Sequence, residues 1–286
     1  MRPLIRATYA AALAVTLLVA GCASVSESLD SNFLFRARPA DPDRLARVSR
    51  LEGVEEVRIP APDGVTLHGW LKRAPGAAKG ERFPLVIVFG GVARETSWML
   101  AWGDKPPAWG WLMVNYRGYG LSGGVPSEQA LVEDARHIYD YAAARPDIDA
   151  ARIVVLGRSL GSYVAVTLAS SRPLAGAILA TPFDSIAAVA EERYPYLPMG
   201  LIVGGRYDSA AIAPSIHTPA LFVIAGRDDV TPPEHGLNLA RAWGGPKSLY
   251  TLPDTGHRGV EWRDEYWVQI SRFLRALEIA PHARNP

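Results

Sequence analysis

Gly157-Arg158-Ser159-Leu160-Gly161 is a G-x-S-x-G pattern set between two apolar segments, Ile153-Val154-Val155-Leu156 before it and Ser162 to Ala169 after it. The first segment has the length of a buried strand, and the second reads as a buried helix. A strand that passes into a helix through such a pentapeptide turns sharply and strains the backbone of its serine. Glycines flank the turn because side chains there would collide with the strand and the helix. The turn holds the Ser159 hydroxyl clear of the sheet, where it could serve as a nucleophile. A second match, Gly120-Leu121-Ser122-Gly123-Gly124, is followed by no helical pattern, because Gly123, Gly124 and Pro126 interrupt it. Ser122 is read as a loop residue.

A serine hydroxyl is a poor nucleophile at neutral pH and needs a base, which in turn needs an acid to orient it. Two loops downstream offer these groups. The apolar run Ala220-Leu221-Phe222-Val223-Ile224 leads into Ala225-Gly226-Arg227-Asp228-Asp229, and the run Ser248 to Leu252 leads into Pro253-Asp254-Thr255-Gly256-His257. Groups just past the ends of parallel strands share one edge of a sheet, the edge at which such sheets bind ligands. His257 is the candidate base, and Asp228 or Asp229 the candidate acid. The other five histidines are placed differently: His68 in an early strand, His137 in a helical stretch, His217 before a strand, His235 near a helix start and His282 in the tail. No H-E-x-x-H and no Cys/His cluster is present, so no protein metal site is expected.

The elements that must position these groups follow from the hydrophobic pattern. Val54–Ile59 and Val65–Leu71 alternate about the turn Pro62-Asp63-Gly64 and predict an antiparallel hairpin. Strands are then expected at Leu85–Phe89, Trp111–Tyr116, Ile153–Leu156, Gly176–Ala180, Ala220–Ile224 and Ser248–Leu252, with helices between them. Continuous apolar strands separated by helices imply an α/β domain with a mostly parallel sheet covered on both faces. With 49% hydrophobic residues the chain can bury a large core, and a net charge of +1 gives no reason to expect nucleic acid.

These segments together resemble the α/β-hydrolase superfamily over about residues 53–277, and more closely its serine-aminopeptidase-like branch of α/β-hydrolase domain proteins. The likeness is carried by the elbow, by Asn115-Tyr116-Arg117-Gly118-Tyr119-Gly120-Leu121-Ser122-Gly123-Gly124-Val125-Pro126-Ser127-Glu128, and by Tyr194-Pro195-Tyr196-Leu197-Pro198. The resemblance implies about eight strands and the chain order Ser, acid, His, which Ser159, Asp228 and His257 keep. In that branch the acid is followed by three residues and then proline. Asp228 has that spacing to Pro232, whereas Asp229 better keeps the spacing from Gly226, so Asp228 is favoured and Asp229 is the alternative. The branch also implies an oxyanion hole formed by the N–H of Leu160 and an N–H after the third strand. The family's histidine there is replaced by Gly90, which leaves Val92 as the aligned donor and Gly91 as the alternative. A cap is implied within about 187–218, short enough to leave the site open or modestly covered. Trp98, Trp102, Trp109, Tyr194 and Tyr196 are candidates to line an acyl pocket or to pack. The activity implied is hydrolysis of a small-molecule carboxylic ester or thioester through an acyl-enzyme, without a cofactor. A peptidase or acyltransferase with the same triad is the alternative, and a non-catalytic envelope scaffold the alternative of another class.

The N-terminus carries a separate message. Two arginines within residues 1–6 precede a nearly uncharged apolar run, Ala7 to Ala20, shorter than the roughly 20 residues a spanning helix needs. This is the pattern of a secretory signal over 1–21. The junction Val19-Ala20-Gly21-Cys22 resembles a bacterial lipobox, which implies a lipid on Cys22 and a membrane partner through that anchor. Cys22 is the sole cysteine, so no intramolecular disulfide can form. Ala23 resembles the outer-membrane sorting pattern of a Gram-negative cell, facing the periplasm. Residues 22–50 are expected to be the lipidated N-terminus and a tether with one short helix, and 51–286 the folded domain.

Overall fold

The computed structural model describes Phe35, residues 39–78, 80–102, 105, 108–199 and 206–279. The signal segment 1–21 and Cys22 lie outside the described residues. One sheet of eight strands runs through the molecule: β1 Val54–Pro60, β2 Thr66–Lys72, β3 Phe83–Phe89, β4 Gly110–Val114, β5 Ile148–Arg158, β6 Gly176–Ala180, β7 Ala220–Ala225 and β8 Lys247–Leu252. Their order is β1-β2-β4-β3-β5-β6-β7-β8. β2 is antiparallel to both β1 and β4, and all the remaining pairs are parallel. The hairpin and the parallel series are those expected from the hydrophobic pattern.

Alternation along the central strands divides the core into two layers. Leu85, Ile87, Ile153, Val155, Ala177, Leu179, Phe222 and Ile224 face one side. There they meet helices α2 (Glu128–Ala144), α3 (Leu160–Ala169) and α6 (Pro233–Ala242). Val86, Val88, Val154, Leu156, Ile178, Leu221 and Val223 face the other side, against α1 (Pro42–Val48), the 3-10 helix Thr96–Trp102 and α7 (Asp264–Ile279). Both faces of a parallel sheet are thus covered, which is why its strands read as unbroken apolar runs. All ten residues of α3 are buried, as a helix apolar around its whole circumference requires. Among the described residues no helix is long and apolar enough to cross a membrane.

Three expectations change in detail. β5 is longer than Ile153–Leu156, because its first half mixes Asp149 and Arg152 with exposed alanines and so carries no continuous apolar signal. The segment expected to be a tether up to residue 50 is in part folded onto the domain. Asp41 caps α1 through its side chain, Val48 is buried, Arg44 pairs with buried Glu95, and Phe35 is 4% exposed within the core. Between β6 and β7, where the cap was expected, lie α4 (Ile186–Arg193), α5 (Ser209–Ile212) and the 3-10 helix Ala213–Ser215, with residues 200–205 outside the described residues.

Candidate active site

The elbow is built by close backbone approach. A Cβ on Gly161 would run into the Phe89 carbonyl at the end of β3, and one on Gly157 would run into the Gly161 carbonyl. Ser159 itself adopts φ 55° and ψ −125°, a conformation that L-residues rarely hold. Its N–H donates to the Ala180 carbonyl at 3.0 Å, which pins the turn to β6. A serine at a helix N-terminus usually spends its hydroxyl on capping. Here the side chain makes no capping bond, and Oγ lies 2.9 Å from Nε2 of His257.

His257 and Asp228 complete a continuous chain. Nδ1 of His257 is 2.8 Å from Oδ2 and 3.0 Å from Oδ1 of Asp228. A carboxylate can only accept, so Nδ1 carries the proton and Nε2 is left to accept from Ser159. The Asp228 carboxylate also accepts from the amides of Val230 at 2.9 Å and Thr231 at 2.8 Å, and from the Thr231 hydroxyl at 3.1 Å. Burial alone would raise this carboxyl. The His257 hydrogen bond and charge, with the Thr231 and Val230 amides, outweigh it and hold the group below its ordinary value. The turn that folds Val230 and Thr231 back onto Asp228 leaves Asp229 exposed. Of the two candidate acids, only Asp228 meets His257.

The loop after β3 passes directly beside the serine. A Cβ on Gly91 would stand 3.6 Å from the Ser159 Cβ. The two tyrosines of the Asn115–Glu128 segment fix this loop: the Tyr116 hydroxyl donates to the Gly90 carbonyl at 2.7 Å, and the Tyr119 hydroxyl to the Val92 carbonyl at 2.9 Å. Burial pushes the Tyr116 phenol up, so it stays a donor. Holding the Gly90 carbonyl fixes the peptide plane that carries the Gly91 N–H, and holding the Val92 carbonyl fixes the far end of the same loop. Leu160 opens α3, so its N–H has no partner within the helix. The choice between Val92 and Gly91 as the second donor stays open, with the Gly91 peptide the one oriented directly by Tyr116. The signal for the tyrosines' part was present in the sequence as a motif, but not the loop they hold.

The decoy serine has a structural task. Ser122 Oγ accepts from the His68 amide at 2.8 Å and donates to the Asn115 carbonyl at 3.0 Å, tying β2 to the loop after β4. His68 is fully buried, and burial lowers its pKa. We expect Ser122→Ala to cost about 1–3 kcal/mol in stability by orphaning a buried amide, with reactivity at Ser159 retained. Chemical denaturation together with probe labelling checks both halves. The aromatic candidates do not form a pocket wall. Trp102 and Trp109 are 3% and 1% exposed in the layer under α7, and Trp102 stands 5.6 Å from Trp267. Trp98 lines a groove with Arg44, Arg47 and Leu51 beside α1. Tyr194 and Tyr196 are 45% and 98% exposed, so neither lines an enclosed cavity.

Comparison with known proteins agrees with this architecture. Residues 81–199 match the family described as serine aminopeptidase, S33. The chain is 36% identical over 235 residues to the Mycobacterium tuberculosis protein Rv2307c, covering 81% of this chain and 83% of that one. It is 29% identical to the alpha/beta hydrolase domain-containing protein WAV2 of Arabidopsis thaliana, covering 88% and 86% of the two chains. Among solved structures, an acetyl xylan esterase from a Paenibacillus species superposes with a TM-score of 0.64 at 19% identity, over 87% of this chain and 98% of that one. Sheet order, elbow and sequence relatives lead to one conclusion: this chain belongs to the α/β-hydrolase superfamily.

Proposed function

We propose that the protein is a serine hydrolase that cleaves carboxylic ester or thioester bonds through an acyl-enzyme on Ser159. The observation that carries this reading is the unbroken hydrogen-bonded chain from Asp228 through His257 to Ser159. His257 accepts the Ser159 proton as Oγ attacks the substrate carbonyl, and the Asp228 carboxylate stabilises the imidazolium that forms. The tetrahedral oxyanion is held by the Leu160 N–H and by the N–H of Val92 or Gly91. Collapse of this intermediate expels the alcohol or thiol, which takes its proton from His257. Water, deprotonated by His257, then releases the carboxylic acid and regenerates Ser159. No step calls for a cofactor. Incubation with a fluorophosphonate, followed by peptide mapping, tests the reading. Covalent label on Ser159 supports it, and a chain that stays unlabelled is no serine hydrolase but fits the scaffold alternative. The match to a family described as serine aminopeptidase favours a second reading, cleavage of aminoacyl amides. A panel of acyl esters, thioesters and aminoacyl amides on the soluble 24–286 fragment separates the two.

We further propose that Cys22 is lipidated and anchors the enzyme in a bacterial envelope membrane. The basic start, short apolar run and Val-Ala-Gly-Cys junction support this. Two or more acyl chains hold a protein to a bilayer far more firmly than one. Cys22→Ser is expected to release the protein from membranes or leave it as uncleaved precursor. Mass spectrometry of the mature N-terminus decides: an unmodified N-terminus downstream of Cys22 in native membranes would refute the anchor.

A further inference from the structure

Arg158 is a charged residue in the middle of an otherwise apolar strand, turn and helix, and charged side chains are rarely buried there without a partner. It is the last residue of β5, and strand alternation sets it on the face of Val154 and Leu156, beneath the loop that leads from His257 into α7. Its side chain is only 12% exposed. Its surroundings are one hydrogen bond, one ion pair in which neither facing atom has a hydrogen-bond partner among the described residues, and one close neighbour. Nη2 donates to the backbone carbonyl of His257 at 2.7 Å. Nε lies 3.4 Å from Oε2 of Glu261, whose side chain is 6% exposed. Nη1 stands 3.5 Å from where a Cβ on Gly91 would be.

Arg158 thus reaches from one piece of the site to two others. The elbow carries Arg158 in its own backbone, one residue before Ser159. The His257 loop is held by its carbonyl, and the loop after β3 passes beside the same guanidinium at Gly91. From this geometry we infer that Arg158 is a positioning residue, a planar brace that sets the distance between the His257 imidazole and Ser159 Oγ. The inference rests on the reading of Ser159 and His257 as nucleophile and base. A guanidinium suits the task because its donors point in fixed directions in one plane, whereas a lysine ammonium offers donors at one point. Glu261 supplies the counter-charge that makes burial of the cation tolerable, and its own backbone carbonyl is held by Trp267 Nε1 at 2.8 Å. The brace thus has its far end fixed to α7.

The side chain is not placed to touch the substrate, so its loss should slow the reaction of Ser159 without removing the nucleophile. Misplacing a catalytic group by about 1 Å can cost about 10²-fold. The test uses the full chain and a fluorophosphonate probe, and reads both the rate constant of labelling and the final labelled fraction. Arg158→Met alone would strand Glu261 as a buried charge and endanger folding. The informative variant is therefore Arg158→Met combined with Glu261→Gln, which removes both charges together and keeps the volume. The expected result is a labelled fraction like that of the wild type, reached with a rate constant about 10²-fold lower. Arg158→Lys, with Glu261 intact, is expected to recover part of that loss, since one donor can still reach the His257 carbonyl. A role in stability alone would lower the labelled fraction and leave the rate constant of the folded molecules unchanged. That pattern, or a double variant labelled at the wild-type rate, overturns the brace while leaving the triad standing. A wild-type protein that takes no label at all overturns the triad reading, and the brace with it.

Discussion

Replacing Ser159 with alanine is expected to reduce turnover of an activated ester by about 10⁶-fold, the scale on which a nucleophile of this kind contributes. The fold should survive, because the Ser159 hydroxyl caps nothing and bonds only to His257, while the bond that pins the elbow to β6 is made by its backbone N–H. Alanine leaves that N–H and the glycines on either side untouched. The measurement is kcat on a p-nitrophenyl ester beside a thermal melt of both proteins. Activity within tenfold of wild type in a folded Ser159→Ala protein would show that the chemistry lies elsewhere. Ser122 is the built-in control, because it fits the same five-residue pattern but is committed to the His68 amide and the Asn115 carbonyl.

Asp228→Asn should be the second most damaging change, at about 10⁴-fold in turnover. Asparagine can still accept the Val230 and Thr231 amides, so the loop keeps its shape. It presents an NH₂ where the His257 Nδ1–H needs an acceptor. The imidazole then favours the tautomer with its proton on Nε2, which cannot take a proton from Ser159. Asp229→Asn, one residue away on an exposed turn, is expected to cost tenfold or less. Assay of both variants on one ester at neutral pH distinguishes them, and a reversed order would return the role to Asp229. The carboxylate also gives stability a pH signature. The folded protein holds Asp228 below its ordinary 3.8. Its contribution is therefore present above that value and disappears as the pH falls through the lower folded one. The stability gap between wild type and Asp228→Asn should narrow over that acidic range.

Ser159 and His257 were legible as candidates because each sits at a punctuation mark. Ser159 interrupts two apolar runs with glycines around it, and His257 follows the last strand of the series. Such signals are local, and a linear reading recovers them. The choice between Asp228 and Asp229 was legible only as competing spacings, since adjacent residues share every local signal. What separates them is the turn that brings two amides back onto one carboxylate. Whether the tryptophans line a pocket or pack was left open in the sequence, because residue type does not reveal which layer a short helix will cover. Thr96–Trp102 lies under α7, and its rings fill that layer. Arg158 was not singled out in the sequence, because the carbonyl it holds is 99 residues away and nothing local points to it.

If Cys22 carries the proposed lipid, the packing of Phe35 and α1 limits how far the folded domain can stand from the bilayer. With Cys22 held in a bilayer, a tether reaching to residue 50 would extend to roughly 100 Å. Because Phe35 is already buried in the core, the distance from Cys22 to the folded domain is bounded by 13 residues of chain, at most about 45 Å. A domain so anchored would meet molecules in the layer next to its own membrane at high effective concentration. Lengthening this stretch with a glycine-serine insert would enlarge the volume searched while leaving every atom of the triad where it is.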